Sequence, residues 1–163
     1  MPAIRPARPD DLPALLEIYN DSVVHDTASW DLLPWTPAQH AEWYATKVEN
    51  GWPVLVAEVD GEVAGYATYG QFRPKAGFTS SMEHSVYLRP AHQGRGLGRA
   101  LVTAIIAAAR ENGVHVLIGG LSADNEASMA LHRSLGFVEV GRLPEVGRKF
   151  DRWLDLVFVQ LTL

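Results

Sequence analysis

The chain has 163 residues, no Cys, and 14 Lys and Arg against 19 Asp and Glu, for a formal net charge of −5. This length predicts one domain over residues 1–163, and the acidic balance argues against a nucleic-acid partner, which needs a basic field. The lack of Cys excludes a disulfide scaffold, a thiolate zinc site and a cysteine nucleophile, and it fits a reducing cytoplasm. Met1 to Pro6 hold no apolar core of signal-peptide length. The run Ala100 to Ala109, interrupted by Thr103, is too short to cross a membrane, so a soluble cytoplasmic protein without a membrane partner is expected.

In chain order, Ile4 to Arg8 read as a short first strand. Leu12, Leu15, Leu16 and Tyr19 recur at helical spacing behind Asp10 and Asp11, and acids suit a helix start. Asn20 to Pro34 read as loop or broken helix. Thr36, Pro37 and Gln39 then form a helix start with capping-box spacing, running to about Glu49. Val54 to Val59 and Glu62 to Tyr69 read as strands joined at the hairpin signal Asp60-Gly61. Gly70 to Ser81 read as loop, Glu83 to Leu88 as strand, and Leu97 to Ala108 as a helix face stopped by Gly113. Val114 to Leu121 read as a buried strand and Asn125 to Leu135 as a short helix. Phe137 to Leu143 and Trp153 to Leu163 close the chain as strands. The order predicts a mixed α/β domain with one sheet layer and helices on its faces.

The stretch Gln93-Gly94-Arg95-Gly96-Leu97-Gly98-Arg99 lies between a predicted strand and a predicted helix. Its glycines let a ligand approach the backbone, the free N–H groups of the helix start favour an anion, and Arg95 and Arg99 add positive charge. This is a phosphate cradle on physical grounds, or else a glycine-rich helix cap. It is not a Walker loop, for want of the Lys-Ser or Lys-Thr pair. It is not the dinucleotide fingerprint either, because Arg99 stands at the third glycine position.

Gln93-x-x-Gly96-x-Gly98, set between strand and helix, resembles the acyl-CoA pyrophosphate signature of the GNAT N-acetyltransferase superfamily. Asn125-Glu126-Ala127-Ser128 and Leu131-His132-x-x-Leu135-Gly136-Phe137 agree with it. Ile18-Tyr19-Asn20, Thr27-Ala28-Ser29-Trp30, Gly70-x-Phe72-Arg73-Pro74, Glu83-His84-Ser85-Val86-Tyr87 and Gly147-x-Lys149-Phe150 resemble the phosphinothricin and methionine sulfoximine or sulfone acetyltransferase branch. The resemblance implies a central, mostly antiparallel sheet of six to seven strands with about four helices. It also implies acetyl-CoA as co-substrate, no metal, a small-molecule amine acceptor and a homodimer. Two strands would splay apart to admit pantetheine, with Val86, Tyr87 and Leu88 supplying backbone, Gly94 to Arg99 holding pyrophosphate, and Asn125 meeting the pantetheine arm.

An attacking amine arrives at neutral pH mainly as ammonium and must lose a proton; the resemblance makes Glu83 the candidate base, whereas sequence alone reads it equally as a surface carboxylate. On an alternating strand Glu83, Ser85 and Tyr87 share one face, and His84, Val86 and Leu88 the other. His132 stands where many members of the superfamily have a Tyr acid. It reads as an acid or relay, or as a structural histidine on an inner helix face. Arg73 is the candidate clamp for an acceptor carboxylate, with Pro74 and Lys75 beside it, or else a solvated loop charge. His84 and Ser85 are candidate pocket residues. His25, His40, His92 and His115 lack ligand-like spacing. Trp30, Trp35, Phe78 and Phe150 wall a substrate pocket, or belong to the core or a dimer interface.

Overall fold

The computed structural model describes residues 2–163. Its elements are β1 (Ala3–Pro6), α1 (Leu12–His25), α2 (Pro37–Glu49), β2 (Val54–Val59), β3 (Glu62–Gln71), β4 (Ser81–Leu88), α3 (Leu97–Glu111), β5 (Val116–Ser122), α4 (Glu126–Ser134), β6 (Val138–Lys149) and β7 (Arg152–Thr162). The seven strands form one sheet in the order β1-β2-β3-β4-β5-β7-β6. Every neighbouring pair is antiparallel except β4 and β5. This is the open, mixed sheet with four helices that the sequence predicts.

Strand alternation divides the core. Val56 and Tyr66 pack with Leu15 and Ile18 of α1, while their neighbours Ala57 and Ala67 join Leu101, Val102 and Ile105 of α3 on the other side. The sheet is thus covered on both faces, and β3 is buried continuously from Val63 to Tyr69. Each large aliphatic side chain buried here contributes about 1.5–3 kcal/mol. At the start of α2, Thr36 Oγ1 accepts from the Gln39 N–H at 3.3 Å and the Thr36 N–H donates to Gln39 Oε1 at 2.9 Å. Those two bonds are the predicted capping box.

Two boundaries depart furthest from the sequence reading. First, α1 continues to His25 instead of breaking near Asn20, because Ile18, Ser22 and Val23 extend its buried face. Tertiary burial there outweighs the weaker helix preference of Val23 and Val24. Second, β6 passes through Pro144 to Lys149 instead of ending at Leu143. It is an edge strand whose register shifts between Leu143 and Gly147, with Glu145 at φ 54°. A bulged edge tolerates a proline that a central strand would not. The β6–β7 turn places Phe150 and Asp151 at φ 52° and 57°, a left-handed pair that carries no glycine signal in the sequence.

Candidate active site

The parallel pairing of β4 and β5 runs from Ser81 opposite Val116 to His84 opposite Gly119 and goes no further. Beyond that point the strands part. β4 continues to Leu88 along β3, and β5 continues to Ser122 along β7. Two tetrahedral carbons on β5 are missing where they would obstruct this opening. A methyl at Gly119 would sit 2.9 Å from His84 Cε1, and one at Gly120 would sit 3.0 Å from Glu83 Oε1. The glycine pair therefore makes room for a charged side chain on one face of the sheet and an imidazole on the other.

A cleft of about 620 Å³ starts at this opening. Val86, Tyr87, Leu88, Gly94, Gly96, Gly98, Arg99 and Asn125, eight of the residues read as cofactor contacts, line it together. Gly94 and Gly96 adopt φ 72° and 81°, and Gly96 caps α3 in the left-handed conformation that L side chains resist. The first turn of α3 then presents its free N–H groups to the cleft, a fit for a pyrophosphate. The Leu97 side chain is buried in the α3 core, which leaves its backbone for a ligand. Arg95 is exposed and lies outside the cleft lining. Asn125 Oδ1 accepts the Ser128 N–H at 3.0 Å, so its side chain caps α4 and directs its amide nitrogen elsewhere.

On the acceptor side, burial pushes the Glu83 carboxyl above the ordinary carboxylate range, and the Arg73 guanidinium pulls it back only in part. The space Gly120 leaves is bordered by Glu83 and by Leu156 and Phe158, an apolar surround that accounts for the desolvation. Arg73 is exposed, lies over the Phe72 ring at 4.2 Å and donates to the Phe72 carbonyl. Its loop is pinned by Gln71 Nε2, which donates to the carbonyls of Arg73 and Lys75 at 2.6 and 3.1 Å. Pro74 and Lys75 share that exposed loop. Ser85 and Tyr87 follow Glu83 onto its face, as alternation predicts, and Tyr87 meets Tyr19 edge-on at 5.3 Å.

His84, read as a candidate pocket residue, reaches a cavity but not the Glu83 side of the sheet. It lies on the opposite face of β4 and is buried, its Nδ1 against the Ile118 carbonyl and its Nε2 against His132. Both histidines border a small cavity of about 80 Å³ between the parted strands, together with Ser85, Gly120 and Ser128. His132 is thus near the opening but has only 1% of its surface exposed. The aromatic residues serve mainly as supports. Trp35 Nε1 and the Tyr19 hydroxyl both donate to Asp31 Oδ2, Trp30 packs against Gly147, and Phe78 rests on Phe72. Phe150 is half exposed. Among the described residues no cluster of three His, Asp or Glu is placed to hold a metal. A larger groove of about 810 Å³ between α1 and α2 contains none of the predicted site residues.

The sequence profile of the acetyltransferase (GNAT) family matches residues 12–137 of this chain. The chain belongs to the GNAT acetyltransferase family. It is 48% identical over 162 residues to the L-methionine sulfoximine/L-methionine sulfone acetyltransferase of Pseudomonas aeruginosa, covering 99% of this chain and 94% of that protein. It is also similar to a ribosomal-protein-alanine N-acetyltransferase from Brucella melitensis, with TM-score 0.97 and 51% identity over 99% of each chain. The acetyltransferase yncA from Salmonella typhimurium, solved with its cofactor acetyl-CoA, superposes with TM-score 0.98 at 46% identity, covering 100% of this chain and 94% of that one.

Within this GNAT chain, one supporting residue escaped the sequence reading as a functional candidate. Lys149 of β6 is buried, and its ammonium donates to three carbonyls, of Ser22 at 3.3 Å, Asp26 at 2.6 Å and Ser29 at 2.6 Å. Three donors meet three acceptors, so the end of α1 and the loop after it are tied to the sheet. That loop supplies Asp26, Thr27 and Ala28 to the cleft wall. Asp124 fastens the opposite wall by accepting from Ser122, Thr27 and Arg152. Sequence offered no signal for Lys149 beyond its place in a motif, since a lysine is expected at the surface.

Proposed function

We propose that this acetyltransferase moves the acetyl group of acetyl-CoA to the α-amine of a small amino-acid-like acceptor, with methionine sulfone, methionine sulfoximine or phosphinothricin as the preferred class. The observation that carries the reading is the opening of the sheet at His84 and Gly119, with a glycine-rich helix start on one side of it and a desolvated carboxylate, Glu83, on the other. Glu83 takes the proton from the acceptor ammonium, directly or through water. The freed lone pair attacks the thioester carbonyl carbon, the carbon–sulfur bond breaks from the tetrahedral intermediate with its electron pair passing to sulfur, and the second proton lost by the amide nitrogen ends on that sulfur as CoA thiol. Attack is direct, because the chain has no Cys to form an acyl-enzyme and its sequence shows no Ser-His-Asp constellation to activate a serine. Val86 to Leu88 offer backbone to the pantetheine arm, and Gly94, Gly96, Gly98 and Arg99 with the Leu97 backbone hold the pyrophosphate. Arg73, with Pro74 and Lys75 in the same loop, grips the acceptor carboxylate.

Residues 1–163 act as one catalytic domain, and two copies pair. The edge strand β6 exposes Val138, Val140, Leu143 and Val146, and Trp153 of β7 is 58% exposed, an apolar patch that a second copy would cover. The lack of Cys suits work in a reducing cytoplasm.

Thermal unfolding tests the reading. Acetyl-CoA raises the melting temperature by mass action, and a Gly96→Val variant loses that shift. A panel of methionine sulfone, phosphinothricin, a polyamine and an N-terminal peptide then ranks acceptors by turnover. A shift with NAD and none with acetyl-CoA would overturn the assignment.

A further inference from the structure

The pair His84 and His132 poses a problem of proton counting. His84 Nδ1 lies 2.8 Å from the Ile118 carbonyl oxygen, and His132 Nδ1 lies 2.7 Å from the Ser128 carbonyl oxygen. The two Nε2 atoms face each other at 2.8 Å. A carbonyl oxygen only accepts, so both Nδ1 atoms carry protons, and a neutral imidazole protonated at Nδ1 has a lone pair at Nε2. Two neutral rings would therefore set lone pair against lone pair at hydrogen-bond distance. The three links need three protons, and two neutral imidazoles bring two.

We propose that His84 and His132 share the third proton between their Nε2 atoms, as an imidazole–imidazolium couple, and that His84 is the positioning residue which holds His132 and a unit positive charge beside the parted strands. The site is built for one ring pair. Gly119 gives His84 its space, and the Phe137 ring packs against both imidazoles with centroids 5.2 and 5.1 Å away. The groups facing the pair are the Ile118 carbonyl from β5, the Ser128 carbonyl and hydroxyl from α4 and the Phe137 ring. Glu83, the nearest carboxylate on β4, points to the other face. Burial opposes the charge: desolvation, and then the neighbouring His132, push His84 down to about 3, and desolvation lowers His132 as well. What offsets this is a pair of charge-assisted bonds to carbonyls and one short N–H···N bond, each stronger at low dielectric.

The competing arrangement is neutral. The Ser128 hydroxyl, 3.4 Å from His132 Nδ1, would then donate to it, at the cost of a lone pair facing the Ser128 carbonyl at 2.7 Å. In the charged arrangement, and resting on the reading that the thioester enters this gap, the couple stands where negative charge develops as the carbon–sulfur bond breaks, and it stabilises that charge.

Nitrogen-15 NMR of histidine-labelled free protein decides between them without any reaction. Between about pH 6 and pH 8, the charged couple shows both Nδ1 atoms in the protonated range and the two Nε2 atoms averaged between protonated and bare. Ser128→Ala leaves this pattern in place, and His84→Asn returns His132 Nε2 to the bare position. The same His84→Asn variant, melting as a folded protein, loses at least about tenfold in kcat with the acetyl-CoA KM held. A bare Nδ1 in either ring, or a His132 pattern that changes with Ser128→Ala, overturns the proposal, as does an unchanged kcat in His84→Asn. A charged couple in a protein that transfers no acetyl group would instead overturn the functional reading and leave the couple standing.

Discussion

In the proposed reaction the proton transfer falls to one side chain, Glu83. Its raised carboxyl makes it a better proton acceptor at the cost of being protonated at higher pH than an ordinary glutamate. Activity therefore rises with pH through that raised value, and kcat of Glu83→Gln falls about 10²- to 10⁴-fold while acetyl-CoA affinity holds. Stability moves the other way. The folded state keeps the Glu83 proton more tightly than the unfolded chain, so the contribution of this group is present at low pH and is lost as pH rises through the folded value. At neutral pH the ionised carboxylate opposes folding, and Glu83→Gln melts no lower than wild type. A kcat near wild type with an unchanged pH profile would place the base elsewhere. In the proposed reaction Arg73 acts on the acceptor alone. Arg73→Ala raises the acceptor KM by about thirtyfold, the equivalent of about 2 kcal/mol for a lost charge-assisted contact. An unchanged acceptor KM in steady-state assays removes Arg73 from the site.

At the scale of elements, the site depends on strands that stop pairing and on one strand that runs on. β6 reaches past its proline to bring Lys149 under the end of α1, where the ammonium satisfies the carbonyls of Ser22, Asp26 and Ser29. Lys149→Met keeps most of the volume and leaves those carbonyls without a donor. It lowers the unfolding free energy by about 2–3 kcal/mol in urea titration, and it raises the acceptor KM because the loop after α1 loosens. An unchanged urea midpoint would contradict that support. These dependencies also mark what sequence discloses. The capping box at Thr36, the face alternation of Glu83 and His84, and the glycine-rich start of α3 were legible because each is set by a few neighbouring residues. The length of α1, the bulged course of β6, the Gly119-Gly120 gap and the buried Lys149 were not. They are settled by contacts between residues far apart in the chain: Lys149 lies 127 positions from Ser22, and His84 lies 48 from His132. Local propensity carries no record of such contacts.

The whole molecule presents two unlike edges. β1 is short, as edge strands commonly are, whereas β6 is long and displays valines and a leucine to solvent. A second copy covering β6 removes that liability, so light scattering at micromolar concentration gives twice the mass of the 17.9 kDa chain. Val146→Asp, which charges the patch, shifts it toward the monomer. A monomeric wild type under the same conditions would contradict the pairing.

The function as a whole rests on acetyl transfer at the opening between β4 and β5. Its most direct test is the release of CoA thiol by the purified protein given acetyl-CoA and L-methionine sulfone, followed continuously with a thiol reagent. The expected result is acceptor-dependent release matched one for one by N-acetylated product and lost in Glu83→Gln. Tight acetyl-CoA binding with no acceptor-dependent thiol release, for methionine sulfone or any amine of the panel, would contradict it and leave an acyl-CoA-binding domain without catalysis.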